Sequence, residues 1–369
     1  MRDFMKKLIS SLYILLLLIT STFLFGCKNI NSPTGINDNN SNTTTKENVA
    51  VNNSESQYKI SDFYPFKENL KYTYEGTGNE YAGFSTFVDF IKDNKIQIRK
   101  FNGGTEFVSV LENSNGELKV LFAKPECYYR ENFLDKVSNT KEILLKEPLI
   151  KGTSWTLSDG RKRFISNTDV KVSTALGEYK AIEVTTEEKD SITIDYYGLN
   201  MGLIKTVYKG KDMEVTSSLS KSETSPFVQN IKFYYPNIND DKLYYVNKEI
   251  SFKTNDISKS IIEKYLKESP NKDLGTLMGA GAKINSLYLN DDGMVYIDFS
   301  KAFLTEMNAG SGYEVMLLQC ITNTLGNYYN ADKVYITIEN IPYSSGHIEM
   351  KKGEYFKVNY DNSVELKIK

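Results

Sequence analysis

Histidine is almost missing from this chain: His347 is the single one among 369 residues. Most metal sites that draw on several imidazoles are thereby excluded. Cysteine is scarce as well, limited to Cys27, Cys127 and Cys320. Cys127 and Cys320 fall in different expected domains, and Cys320 sits on an expected apolar helix. A disulfide framework is therefore not anticipated; two isolated core thiols are. A surplus of positive charge is also lacking. The 45 Lys and Arg are balanced by 47 Asp and Glu, a formal net charge of -2, with no basic stripe. Nucleic acid is not an expected partner on that ground. Lys, Asn, Ile and Tyr are used heavily, as in an AT-rich genome such as that of a Gram-positive anaerobe.

The N-terminus has a pattern of its own. Arg2, Lys6 and Lys7 precede an uncharged stretch from Leu8 to Phe25, with the apolar run Leu12 to Ile19 inside it. Leu24-Phe25-Gly26-Cys27 closes the stretch. A charged start, an apolar run and a small residue before the cut form a secretory signal. The Leu-x-Gly-Cys ending resembles the lipobox of bacterial lipoproteins, although Phe25 is bulkier than the usual residue there. The resemblance implies that the Cys27 thiol takes a diacylglycerol and that cleavage follows just before it. An uncleaved transmembrane anchor is the alternative, because about 18 apolar residues reach the lower limit for spanning. Either reading puts the rest of the chain outside the cytoplasm. Two acyl chains, at about 0.8 kcal/mol per buried methylene, make a stable anchor. The signal carries a net positive charge, so the mature chain is more acidic than the precursor.

At this length two domains are expected beyond the signal. Residues 28–57 are Asn-, Ser- and Thr-rich with few apolar side chains, and read as a disordered tether. Residues 58–220 read as an antiparallel all-β domain, a curved sheet or half-barrel. Lys71 to Glu75 and Lys95 to Arg99 alternate at period two. Asn102-Gly103-Gly104, Asn113 to Gly116 and Gly198 to Gly202 are turn signals. Gly152 with Trp155, then "LGEYKAIEV" and "YYGLNMGLIK", resemble a widespread exported β pattern that carries no known chemistry. Lys221 to Pro226 reads as a polar linker. Residues 226–369 read as a small α+β domain. Strands are expected at Ile231 to Pro236 and at Leu243 to Phe252, the latter interrupted near Asn247. A helix follows, carrying Ile257, Ile261, Ile262, Tyr265 and Leu266. A hairpin turns at Asn290 to Gly293. A longer helix starts at Ser311, with Glu314 completing a capping box and Val315, Leu318, Thr322, Leu325 and Tyr329 as its buried stripe.

Three segments of this last region resemble the GerMN domain of sporulation and spore-germination lipoproteins. They are "VYIDFSKAF" (Val295 to Phe303), "GSGYEVMLLQCITNTLGNYYNADKVYITIEN" (Gly310 to Asn340) and "SSGH" (Ser344 to His347). The resemblance covers about residues 226–355. It implies a non-enzymatic, extracytoplasmic interaction module in cell-envelope complexes. The family form with two such domains in tandem differs from this chain, where one is paired with a β domain.

The remaining candidates for chemistry read as structural. Asp298 is expected to face outward, opposite Val295, Ile297 and Phe299. Asp291-Asp292-Gly293 lacks the alternating ligands of an EF-hand and reads as a turn. Ser344, Ser345 and His347 are close in sequence, but a triad is recognised by geometry in space, and no Gly-x-Ser-x-Gly elbow is present. Gly275, Gly279 and Gly281 lack dinucleotide-binding spacing and read as loop glycines. The 26 tyrosines suit half-buried strands. Neither a cofactor nor an enzymatic activity is expected. The functional expectation is a lipid-anchored envelope module that binds another envelope protein or itself. The alternative is a lipoprotein that presents cell-wall fragments or a small solute in the concave face of its β domain.

Overall fold

The computed structural model describes residues 57–237 and 239–367. The signal, Cys27 and the expected tether before residue 57 lie outside the described residues. No described helix is long and apolar enough to cross a membrane.

A short helix, α1 (Ile60–Phe63), precedes a run of twelve strands: β1 (Leu70–Thr77), β2 (Phe84–Lys92), β3 (Lys95–Phe101), β4 (Glu106–Ser114), β5 (Glu117–Pro125), β6 (Glu142–Lys146), β7 (Ser154–Thr156), β8 (Lys162–Thr174), β9 (Gly177–Glu187), β10 (Ile192–Gly198), β11 (Gly202–Lys209) and β12 (Glu214–Thr224). They form one antiparallel sheet in the order β6-β5-β4-β3-β2-β1-β12-β11-β10-β9-β8-β7. Tight turns hold the meander together. Between β4 and β5 both Asn115 and Gly116 have positive φ (53° and 70°), as a two-residue hairpin turn requires. The sheet curls until its two ends face each other, and side chains bridge the seam. Trp155 Nε1 donates to Ile143 O (3.0 Å) and Arg163 Nε to Leu144 O (3.1 Å). The expected half-barrel is thus a nearly closed barrel. The α1 helix plugs one part of its interior with Ile60 and Phe63, both fully buried. Each contributes about 1.5–3 kcal/mol by leaving water.

Lys221 to Thr224 does not form a linker: these residues continue β12 and pair with Leu70 to Thr73. Their polar composition reflects the largely exposed positions at the C-terminal end of this central strand. Only Ser225 and Pro226 separate β12 from β13 (Phe227–Asn237). β14 (Lys242–Phe252) pairs with β13 without a break, Asn247 lying opposite Lys232, so the expected interruption is absent. Then come α2 (Ser258–Leu266), β15 (Ile284–Leu289), β16 (Val295–Phe299), α3 (Ala302–Met307), α4 (Ser311–Tyr329), β17 (Lys333–Ile338), β18 (Ile341–Pro342), β19 (Phe356–Lys357) and β20 (Ser363–Glu365). β16 and β17 are parallel, with α3 and α4 crossing between them. The first residue of α4 is Ser311, Gly310 serves as its N-cap, and no side chain caps it. Glu314 is buried and accepts a hydrogen bond from Tyr343 Oη (2.6 Å), so the capping box is not formed. Val315 is 55% exposed, whereas Leu318, Thr322, Leu325 and Tyr329 are buried as expected.

The two domains share one core. Phe90, Val108, Val110, Tyr129 and Phe133 of the first pack in the same cluster as Phe233, Phe252, Leu325 and Tyr329 of the second. The joint is polar at its centre. An irregularity between Val88 and Phe90 leaves Asp89 without a partner on β3, and such bulges re-aim side chains. The Asp89 carboxylate meets Arg99 Nη2 (3.1 Å) and Arg130 Nε (3.5 Å), all three side chains being buried. Arg130 Nη2 also donates to Asp89 O (2.7 Å) and Lys253 O (3.0 Å). Thr254 Oγ1 donates to Val88 O (2.7 Å) and accepts from Asn69 N (2.7 Å). Ser258 Oγ donates to Arg130 O (2.8 Å), and Arg130 N donates to Tyr328 Oη (2.9 Å).

Candidate functional site

Two places present chemistry that this packing does not consume: the barrel interior and the outer face of the β15–β18 sheet. Strand alternation produces the first. Tyr72 and Tyr74 on β1, Phe84 and Thr86 on β2, Ile98 and Lys100 on β3, and Phe107 and Ser109 on β4 all line a cavity of about 240 Å³. Tyr72 Oη donates to Met201 O and Tyr74 Oη to Leu203 O, both at 2.7 Å, which fixes the rings as walls. Tyr74 and Phe84 stack with centroids 4.3 Å apart. Lys100 keeps solvent access, and its Nζ lies 3.9 Å from the centre of the Phe84 ring. The surrounding walls lower its ammonium pKa by desolvation, and the Asp195 carboxylate acts in the opposite sense.

Register produces the second. Tyr288 pairs with Tyr296, and Tyr296 with Tyr335, so three half-buried tyrosines stand side by side on β15, β16 and β17. Their centroids are 5.6 and 5.0 Å apart. The opposite face of these strands carries Val295, Ile297, Val334 and Ile336, all buried in the core. Tyr296 Oη donates to Asp292 Oδ2 (2.8 Å), and this bond raises the phenol pKa. The edge of β15 is occupied at its start: Ile284 N donates to Glu263 Oε2 and Asn285 O accepts from Lys259 Nζ, both at 2.8 Å.

Asp298 does not face solvent. It lies opposite the core side, as alternation requires, but is buried there. Oδ1 accepts from Thr337 Oγ1 and Asn340 N (both 2.6 Å), and Oδ2 from Asn285 Nδ2 (2.8 Å). It staples β15, β16 and the turn after β17. Asn290 to Gly293 forms the expected turn, Gly293 having φ 78°. Gly275 and the Gly279–Gly281 pair lie in a loop pressed against Tyr313 and Glu306, where a Cβ would come within 1.7 and 2.2 Å of side-chain oxygens. His347 is exposed, and its backbone N and that of Ile348 donate to Ser345 Oγ (3.1 and 3.0 Å), a turn rather than a nucleophile–base pair. Cys127 and Cys320 are buried free thiols, in line with the expectation. No cluster of three or more metal-ligating side chains occurs among the described residues. Lys100, Asp89, Arg130 and the tyrosine row escape sequence reasoning. Only the tyrosine row had a signal, Tyr288 and Tyr296 flanking the hairpin turn expected at Asn290 to Gly293.

No curated protein gives a significant match to the chain. Among solved structures, the first GerMN domain of the sporulation protein GerM from Bacillus subtilis is 22% identical, over 33% of this chain and 94% of that one, with a TM-score of 0.26. A Clostridium perfringens protein described as a lipoprotein is 17% identical over 36% of this chain and 88% of its own (TM-score 0.23). A Bacteroides fragilis protein described as exported, with a YmcC-like fold, is 10% identical over 44% and 98% (TM-score 0.29). Residues 232–344 match the sequence model of the Germane family, described as sporulation and spore germination, within the region where the GerMN resemblance lies.

Proposed function

We propose that the protein is a lipid-anchored, extracytoplasmic, non-catalytic module of the cell envelope that docks another envelope protein, with a role in sporulation or spore germination. The row Tyr288–Tyr296–Tyr335 is the observation that carries the docking part. Aligned aromatics on an accessible sheet face offer large contact area at small entropic cost, and Tyr is enriched among the residues that dominate interface energetics. Docking along the β15 edge is disfavoured because Glu263 and Lys259 already occupy its first backbone groups. The Germane match over residues 232–344 supports the envelope and sporulation setting. Anchoring rests on Cys27, and the lipid would raise the local concentration of the docking face at the membrane.

The two parts separate experimentally. Labelling cells with an alkyne fatty acid should tag the wild-type protein and leave Cys27→Ser unlabelled; equal labelling removes the anchor from the proposal. A pull-down from growing and sporulating cells should recover a partner with wild type and lose it with Tyr296→Ala plus Tyr335→Ala at an unchanged unfolding midpoint. Undiminished recovery with the double variant counts against the tyrosine face, and recovery of only a second copy of this chain points to self-association instead.

A further inference from the structure

We infer that the barrel interior is a binding site for a small anionic amphiphile: a slender apolar body among Tyr72, Tyr74, Phe84 and Leu203, and a carboxylate or phosphate head at Lys100. This site is separate from the tyrosine face and does not depend on it. The argument starts from what the interior leaves unfilled. One part is packed solid by Ile60, Phe63, Leu118 and Leu145, each fully buried. The part lined by β1 to β4 and β11 keeps about 240 Å³ open. That is below the roughly 300 Å³ at which sites for drug-sized ligands begin, so the occupant is small and reaches out through the mouth.

The walls choose an apolar body. The two tyrosine hydroxyls are already satisfied by backbone carbonyls of Met201 and Leu203. They therefore offer ring faces and no spare donor. Lys100 chooses the head. Its ammonium forms no salt bridge among the described residues, and it lies over the Phe84 ring face as a cation–π contact. The carboxylate that acts on it, Asp195, is held by Arg163 Nη2 (2.8 Å) and Thr206 Oγ1 (2.7 Å). Lys100 stands exposed at the mouth of this apolar cavity without a counter-ion of its own, and an anion delivered by a ligand would supply one. Thr86, directly opposite Lys100 on β2, places a hydroxyl beside the same spot, and Ser109 on β4 adds another in the cavity lining. A charge-assisted hydrogen bond from Lys100 with a neutral one from Thr86 suits a carboxylate or phosphate head.

The experiment uses residues 28–369, which contain every described residue, purified without detergent. Four probes are titrated by calorimetry: dodecanoate, dodecyl phosphate, dodecanol and vesicles of anionic phospholipid. The expected result is saturable one-to-one binding of dodecanoate or dodecyl phosphate, with dodecanol at least tenfold weaker. Whichever of the two anions binds tighter identifies the head group. Lys100→Met should weaken the anionic probe about tenfold and leave dodecanol unchanged, Lys100→Arg should restore it, and Leu203→Trp should block all three. The proposal is overturned if dodecanol binds as tightly as the anions, if Lys100→Met leaves anion binding unchanged, or if only the vesicles bind. Should Lys100→Met fail to fold, the comparison of dodecanol with dodecanoate on the wild-type and Lys100→Arg proteins decides the question alone.

Discussion

Asp89 sits where a strand irregularity, two arginines and a domain boundary meet. Its carboxylate is the shared counter-ion of Arg99 and Arg130, and its carbonyl accepts from Arg130 Nη2 and Asn255 N. Burial works to lower the pKa of the Arg99 guanidinium, but Asp89, Cys127 and Glu106 outweigh it, so the group is held more firmly protonated than usual. Removing one partner of a buried ion pair strands the other at a cost of about 3–5 kcal/mol. Asp89→Ala should therefore lower the urea unfolding free energy by about that amount and split the single transition into two as the domains uncouple. A loss below about 1 kcal/mol with one transition retained would show that the apolar core alone holds the joint. The thiols make a second residue-scale expectation. Burial pushes the Cys127 thiol up to about 11 and Cys320 well above its ordinary value. Both should react with a thiol reagent at pH 8 only after denaturation, and fast reaction in the native Cys27→Ser protein would contradict their burial. Little of this was legible in the sequence. Alternation correctly separated Asp298 from Val295, Ile297 and Phe299, yet it tells which side a residue faces and not what covers that side. Asn285, Thr337 and Asn340 cover it. The Asp89 network joins residues from β2, β3, a loop and the second domain, and no local spacing announces such a meeting.

Elements carry their own tests. Gly326 lies inside α4, where alanine normally favours the helix by about 1 kcal/mol. Here a Cβ would stand 2.2 Å from Val358 Cγ2 and 2.7 Å from Ala331 O. Overpacking of this kind costs about 1–3 kcal/mol, so Gly326→Ala should lower the thermal midpoint, and a raised midpoint would mean the C-terminal segment is loosely held. Glu263 on α2 ties the helix to β15 through Ile284 N (2.8 Å) and pairs with Lys267 (2.8 Å). Burial alone would raise its pKa, but these bonds outweigh it and hold the carboxyl below its ordinary 4.5. A depressed carboxylate contributes stability that is complete above the unfolded pKa and is lost as pH falls through the folded one. Glu263→Gln should thus destabilise by about 1 kcal/mol at pH 7, and the gap should close as pH falls from 4.5 through the lowered folded pKa. A gap that persists in acid would assign the effect to shape rather than charge. Strand and helix positions were mostly readable from period and turn residues. Helix ends were not: Ser311 resembles an N-cap, but the helix takes Gly310 for that place because Glu314 is drawn inward to Tyr343.

At the scale of the whole molecule, the chain couples two readable halves in an unreadable way. Hairpin signals foretold an antiparallel, curved sheet, and the α+β region carried its family resemblance. Near-closure of the barrel depends on Trp155 and Arg163 reaching β6 from β7 and β8, contacts between segments whose turns give no hint of curvature. The shared core follows from Val108 and Val110 of β4, which look exposed by alternation until the second domain covers them, and from Phe90 of β2, which the irregularity at Asp89 turns to the same side. The strands that bear the tyrosine row pack their other face into this shared core. Site-specific photocrosslinking in living cells tests the proposed docking face most directly. A photoreactive residue at Tyr335 should yield a discrete adduct with another envelope protein, and the same residue at Leu176, exposed in the β8–β9 turn, should yield none. No adduct at Tyr335, or the same adduct at both positions, would contradict a docking face there.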